Sequence, residues 1–435
     1  MTTPLRIGIA GLGTVGIGTL EVLSAHAEMF ASRVSRPLTV TAVAARDWVR
    51  DRGVDLRGYE CFDNAVDMAY SDDVDVVVEL IGGSDGIAKD LTEAALANGK
   101  HVVTANKALI AIHGTALAMA AEEVGVTLAY EAAVAGGIPI IKALREGLVA
   151  NRIDRLYGIL NGTCNYILTE MEQSGRDFSD ALDEAQALGY AEADPSFDID
   201  GIDAAHKLAI LASVAFGTAV DFDGIHVEGI RHISPIDIEF ACELGYGIKL
   251  LGVAARTADG FEQRVHPCMV PASAPINYIS GVFNGIAVDG NFVDTTIYEG
   301  RGAGAGPTAS AVVADILNIA AIRQVGAGGP HDALDPLLAA SSWRNCRLVD
   351  QGSTCHRNYV RFQAADRPGV IGHIGSCFGS AGVSLQSIVQ FETEGSGAEI
   401  VVVTHAVEES LFQQALSAIL ERPEVEDVRC CLRTL

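Results

Sequence analysis

Apolar runs separated by glycine-bearing turns and helical-period segments organise the front of this chain. Leu5–Ala10 reads as an apolar strand that leads into Gly11-Leu12-Gly13-Thr14-Val15-Gly16 and then a helix, IGTLEVLSAH. Further strands are expected over 38–45, 74–80, 101–104 and 127–131, with helices KDLTEAALANG and HGTALAMAAEEVG between the later ones. Strands that are apolar on both faces and alternate with helices predict a parallel sheet covered on both sides.

From about Gly136 the pattern changes. A helix (PIIKALREGLVA) and a strand (IDRLYGILNG) precede an acidic segment at 189–207, and strands follow at 249–256 and 262–270. This predicts an α+β substrate and dimerisation domain over 136–304. The Gly-rich run 300–307 feeds a helix, SAVVADILNIAAI, expected to return to the first domain, so the dinucleotide-binding domain is read as 1–135 with about 305–325. Residues 326–354 read as a linker. Over 355–435 the order is strand, helix, strand, strand, helix, strand, which predicts a ferredoxin-like unit.

Composition narrows the function classes. Of 435 residues, 30 are Lys or Arg and 56 Asp or Glu, a net charge of −26 that repels nucleic acid and anionic membranes. Any anionic cofactor must then be met by local groups. No apolar run reaches a membrane span, and the N-terminus lacks a basic and apolar leader pattern. The 9 cysteines are odd in number and form no C-x-x-C, which predicts reduced thiols in a cytoplasm.

The glycine fingerprint follows a strand and opens a helix, the context that makes it a phosphate site of a Rossmann-type domain. Gly11 permits the turn, Gly13 admits the pyrophosphate, Gly16 lets helix and strand approach, and the helix N-terminus supplies donors. At the end of the second strand, Arg46 suits the 2′-phosphate of NADP(H), while the adjacent Asp47 suits the ribose of NAD(H). NADP(H) is the preferred reading. Thr104-Ala105-Asn106-Lys107 follows a strand at the carboxyl edge of the sheet, where Lys107 could face cofactor and substrate or cap a helix.

The acidic segment packs Glu192, Asp194, Asp198, Asp200 and Asp203 ahead of Lys207. Asp203 and Lys207 stand four apart, one face of a helix, and such pairs are most often surface salt bridges. A calcium loop is a second reading. Aligning Gly201 with the invariant glycine of an EF-hand puts Lys207 where the bidentate Glu belongs, so that reading fails. A carboxylate and an ammonium on one rigid helix suit proton transfer to a small polar substrate. Cys164 raises the reading of a cysteine nucleophile, which needs a base to make its thiolate, and no His is near in sequence.

GLGTVG, TANK, EAAVAGGIPI, LNGTCNYIL and GYAEADPSFDIDGIDAAHK resemble, in order and spacing, the homoserine dehydrogenase family. The tail, with DRPGV and AGVSLQSIVQ, resembles an ACT domain. The resemblance implies NAD(P)-linked interconversion of L-homoserine and L-aspartate 4-semialdehyde in threonine, methionine and isoleucine biosynthesis. It implies Lys207 as proton donor and acceptor, Asp203 as its partner, Glu192, Asp198 and Asp203 as substrate ligands, and Lys107 between nicotinamide and substrate. Gly11, Gly13, Thr14, Val15, Gly16, Arg46, Thr104, Lys107 and Gly304 would contact the cofactor. Glu131 with backbone oxygens of Val134, Gly136 and Ile138 would hold a monovalent cation, Na+ or K+. The ACT resemblance implies L-threonine as effector and a homo-oligomer, dimer or tetramer. The rival classes are an aspartate-semialdehyde dehydrogenase using Cys164 and a non-catalytic amino-acid sensor.

Overall fold

The computed structural model describes residues 3–34, 36–325, 347–392 and 397–434. Most of the stretch read as a linker, 326–346, lies outside the described residues. The chain divides into two compact units: Met1–Leu156 with His206–Gly224 and Asn284–Cys346, and Tyr157–Ala205 with Ile225–Phe283 and Arg347–Leu435.

In the first unit, β1 (Leu5–Ala10), α1 (Thr14–Ala25), α2 (Ala27–Arg33), β2 (Leu38–Ala44), β3 (Glu60–Phe62), β4 (Val76–Glu79), α3 (Ile87–Ala97), β5 (His101–Thr104), α4 (Lys107–Val124) and β6 (Leu128–Ala129) build a six-stranded sheet. Its order is β3-β2-β1-β4-β5-β6 and every pairing is parallel. The order reverses direction between β1 and β4, the place where doubly wound sheets bind ligands. Every residue of β4 and β5 is buried, as expected of strands covered on both faces. The short edge strand β3 is too brief to leave an apolar run in the sequence.

Three boundaries moved for local reasons. α4 begins at Lys107, six residues ahead of the segment read as helical, because Asn106 caps it by accepting from Leu109 N at 3.1 Å. The strand read at 127–131 shortens to β6, and Glu131–Ala133 forms a 3-10 turn. The helix read from Pro139 breaks into α5 (Ile140–Lys142) and a π turn over Ala143–Gly147, closed by Leu148 N donating to Ala143 O at 2.7 Å. In sheet order β11 (Phe283–Gly290) lies between β7 (Ile153–Ile159), of which Ile153–Leu156 belong to the first unit, and β12 (Asp294–Arg301). α11 (Ala305–Val325) sends Val312, Ile316 and Ile319 into the core formed by Leu5, Ile7 and Val76.

The second unit holds α6 (Gly162–Ser174), α7 (Phe178–Ala187), α8 (Ser196–Ile199) and the start of α9 (Ile202–Phe216), which ends in the first unit. The segment around Cys164 is helical, because Asn161 Oδ1 accepts from Cys164 N at 2.8 Å and opens α6. After β8 (His226–Val227) and α10 (Pro235–Glu243) come β9 (Tyr246–Thr257) and β10 (Gly260–Pro271), then β13 (Cys355–Ala365), α12 (Val370–Ser380), β14 (Leu385–Glu392), β15 (Gly397–Thr404), β16 (Val407–Glu408), α13 (Glu409–Leu420) and β17 (Val425–Thr434).

The terminal βαββαβ pattern forms as read, with Phe362, Phe378 and Phe412 in its own core. Its sheet is nevertheless continuous with the hairpin β9-β10, in the order β9-β10-β17-β13-β15-β14. β17 runs parallel to β10, with Cys268 opposite Arg433. α10 docks on the same module: Phe240 stacks on Phe391, and the fully buried Asp237 accepts from Arg361 Nε at 2.6 Å and Tyr359 OH at 3.3 Å. Among the described residues no helix is long and apolar enough to cross a membrane.

Candidate active site

In the first unit the fingerprint has the geometry of a phosphate cradle. Gly11 adopts φ +101°, and a Cβ on Gly16 would stand 2.0 Å from Gly11 O, so neither position accepts a side chain. Gly13 faces open space, and Thr14 and Val15 open α1 with their N–H groups unclaimed by any side-chain cap. A cavity of about 290 Å³ adjoins this turn, lined among others by Gly11, Gly13, Arg46, Asp47, Arg50 and Arg52. Asp47 directs its carboxylate into its own loop, accepting from Val49 N at 2.9 Å and Arg50 N at 3.3 Å. Arg52 straps that loop to the fingerprint through Leu12 O at 3.1 Å. These groups suit a dinucleotide, with donors at the helix start and guanidinium groups at the far end.

At the neighbouring strand ends, Glu79 was not singled out in the sequence. It is fully buried, accepts from Ile81 N at 2.7 Å and Gly82 N at 3.1 Å, and receives the Thr104 hydroxyl at 2.6 Å. Thr104 Oγ1 in turn accepts from Asn106 N, and Asn106 Nδ2 donates to Gly83 O. One buried carboxylate thereby shapes the loop after β4 and the turn into α4, where Lys107 is half-buried as the first helical residue. The available signal was a lone acid closing the apolar run VDVVVEL.

Glu131 sits in a second recess of this unit. Its carboxylate accepts from Ile141 N at 2.9 Å and Lys142 N at 2.8 Å, and its N–H donates to Asp315 Oδ2 at 2.9 Å. Lys142 Nζ pairs with Asp315 at 2.9 Å. Burial, reinforced by the charge of Asp315, pushes the Glu131 carboxyl up to about 7. Val134, Gly136 and Ile138 are buried beside it on a loop that places Ala135 at φ +48°. A cavity of about 390 Å³ opens there, lined by Glu131, Gly136, Lys142, Arg301 and Pro307 among others. Gly304, at φ +123°, precedes α11.

In the second unit the structure assembles part of the acidic segment. Asn161 Nδ2 donates to Asp198 Oδ1 and to Asp203 Oδ2, each at 2.8 Å. Thr163 Oγ1 donates to Tyr190 O at 2.8 Å and lies 3.3 Å from Asp198 Oδ2. Asn161 and Thr163, both in the LNGTCN motif, join the acids here although neither carries a charge that marks it in the sequence. Glu192 is not gathered in: it is exposed, its carbonyl accepts from Gln186 Nε2, and its carboxylate joins no hydrogen bond among the described residues. Asp203 and Lys207 are both buried, 4% and 8% exposed, one turn apart on α9, which sets aside the exposed salt-bridge reading. Cys164 is fully buried, and its thiol donates to Asp198 O at 3.2 Å, an arrangement for packing rather than attack.

Comparisons with known proteins agree with this geometry. Family profiles match over residues 139–317 (homoserine dehydrogenase), 11–131 (homoserine dehydrogenase, NAD binding domain) and 358–424 (ACT domain). The homoserine dehydrogenase of Pseudomonas aeruginosa is 47% identical over 422 residues, covering 96% of this chain and 95% of its own. The crystal structure of a homoserine dehydrogenase from Thiobacillus denitrificans superposes with a TM-score of 0.94 at 42% identity, covering 100% of this chain and 98% of its own. A hyperthermophilic archaeal homoserine dehydrogenase in complex with NADPH matches at TM-score 0.62 and 28% identity, covering 73% of this chain and 97% of its own. With likeness of this degree along its whole length, and a nucleotide cradle of the required kind, the chain belongs to the homoserine dehydrogenase family of NAD(P)-dependent oxidoreductases.

Proposed function

We propose that the chain interconverts L-aspartate 4-semialdehyde and L-homoserine in threonine, methionine and isoleucine biosynthesis, with NADP(H) preferred and NAD(H) as a weaker alternative. The observation that carries this reading is the Asn161 amide shared by Asp198 and Asp203. It holds two carboxylates in one negative recess, which attracts the ammonium group of an amino-acid substrate.

Asp198 binds that ammonium group, and Glu192 contacts the substrate's polar end from its exposed loop. Asp203 orients Lys207 along α9. Bound NADPH supplies a hydride to the aldehyde carbon. Lys207 stabilises the developing alkoxide through its ammonium group and gives that oxygen a proton; in the reverse direction it takes the proton from the substrate hydroxyl. Lys107 adds a second cation toward substrate and nicotinamide. Gly11, Gly13, Thr14, Val15 and Gly16 hold the pyrophosphate, with Thr104 and Gly304 as further cofactor contacts. Arg46 takes the 2′-phosphate, a role supported by the commitment of the Asp47 carboxylate to its own loop.

Glu131 and the backbone oxygens of Val134, Gly136 and Ile138 hold Na+ or K+, supported by the elevated carboxyl of Glu131. L-threonine acts as effector through the ACT module, and the enzyme works as a dimer or tetramer. The test is NADPH consumption on adding L-aspartate 4-semialdehyde, repeated with NADH and with L-threonine. Turnover faster with NADPH and slowed by threonine is expected. No NADPH consumption would refute the reading, and phosphate-dependent oxidation lost in Cys164→Ser would replace it.

A further inference from the structure

Arg433, on β17 of the ACT module, is 4% exposed and bridges two carboxylates. Its Nη2 donates to Glu409 at the start of α13 at 2.8 Å, and its Nη1 donates to Glu228 at 2.9 Å. Glu228 directly follows β8, whose strand pairs with β10, and its N–H donates to Val265 O at 2.8 Å. Burial opposes ionisation of Glu228, yet the hydrogen bond from His226 and the charge of Arg433 hold its carboxyl down at about 2. Guanidinium and carboxylate thus face each other as an ion pair.

Beyond Glu228 the chain lies directly on the acidic segment. Gly229 approaches so closely that a Cβ there would stand 2.2 Å from Ile199 O, and Ile230 N donates to that same oxygen at 2.9 Å. Arg231 donates to Ser196 Oγ at 2.9 Å and pairs with Asp200. Residues 228–231 thus grip α8 at both ends, and α8 carries Asp198. The path from β17 to Asp198 is an ion pair followed by a backbone clamp.

We propose that the Arg433–Glu228 ion pair is a positioning element for substrate recognition, setting the placement of Asp198 from the ACT strand β17 through the strap 228–231. The inference rests on the reading of Asp198 as the ligand of the substrate's amino group. Neither Arg433 nor Glu228 touches substrate in this scheme; they act through α8. An effector that displaces β17 would reach the amino-acid site along this path.

The test compares Glu228→Gln, Arg433→Lys and Asp198→Asn in the full chain, by steady-state kinetics, NADPH binding and thermal unfolding. Glu228→Gln should raise KM for L-aspartate 4-semialdehyde about fivefold, with kcat within about twofold and NADPH affinity unchanged. Arg433→Lys, which keeps the charge but loses the two-armed reach, should fall between it and the parent. An unmoved KM in both variants, while Asp198→Asn raises it, overturns the positioning role and leaves the substrate reading intact. A parallel loss of kcat and NADPH affinity also overturns it, as a general structural defect. If Asp198→Asn itself leaves KM unmoved, the substrate reading fails and takes this inference with it.

Discussion

Asn161→Asp keeps the side-chain oxygen that caps α6 and removes both N–H donors that now hold Asp198 and Asp203. Two hydrogen bonds to charged groups, at about 1.5 kcal/mol each, are lost. A third carboxylate enters within hydrogen-bond distance of the other two, and each new repulsion is on the order of 4 kcal/mol at an effective dielectric near 20 before any relaxation. The cluster will relieve part of this by moving apart and by binding a proton. We therefore expect KM for L-aspartate 4-semialdehyde to rise about 100-fold, ~2.7 kcal/mol, at neutral pH. Crowded carboxylates hold a proton more readily, so the defect should shrink on acidification. Asn161→Ser is the control: it retains a capping oxygen and adds no charge, and should cost about tenfold in KM with little pH dependence. Steady-state kinetics across pH, with thermal unfolding to exclude collapse of α6, is the assay. If Asn161→Asp stays within about threefold of the parent, or matches Asn161→Ser at every pH, the shared amide does not organise the site.

Four further outcomes are expected. Lys207→Ala should lose at least about 10³-fold in turnover while NADPH binding, followed by fluorescence, is preserved; near-normal turnover would remove Lys207 from proton transfer. Arg46→Ala should raise KM for NADPH about tenfold or more and leave NADH little changed, and equal effects would refute its contact with the 2′-phosphate. Replacing NaCl or KCl by choline chloride should lower the melting temperature of the parent but not of Glu131→Gln; identical responses would refute the cation site. His356 is held down at about 3, first by burial and then by the charges of Arg264 and Arg433. The native state then binds fewer protons than the unfolded chain below the ordinary value of 6.5. Stability should fall as pH drops from 6.5 toward 3, by roughly 1.4 kcal/mol per pH unit from this group. Urea unfolding of His356→Gln against the parent isolates that slope, and parallel curves would show that His356 contributes nothing.

Local patterns carried most of the fold. β4 and β5 showed as apolar runs because both of their faces are covered; β3, Glu60-Cys61-Phe62, escaped because it is short, exposed and only partly apolar. The ACT module was readable because each of its strands and helices carries its own local pattern, although β13 pairs with the distant β15 and β17. The junction between β10 and β17 was not, since parallel pairing over so great a separation leaves no local trace. At the site, the acids and Lys207 drew notice through density of charge. Asn161 and Glu79 did not, because an amide and a single carboxylate gain meaning only when tertiary structure supplies their partners: Asp198 and Asp203 for one, the 81–82 backbone and Thr104 for the other. Glu131 was found by resemblance, but its capture of the Ile141 and Lys142 N–H groups, and the broken helix that follows, lay beyond any periodicity.

The pairing of Cys268 with Arg433 joins residues 433 − 268 = 165 positions apart. A contact of such separation adds little to the equilibrium cost of closing the chain, because that cost grows only with the logarithm of loop length, but it slows the search. The ACT core closes within the stretch from β13 to β17, whereas the sheet that unites it with β9 and β10 must wait for two more distant stretches to meet. The β10–β17 junction should therefore form after the ACT core, and a refolding chain should bury Phe362 and Phe412 before Arg433 reaches Glu228.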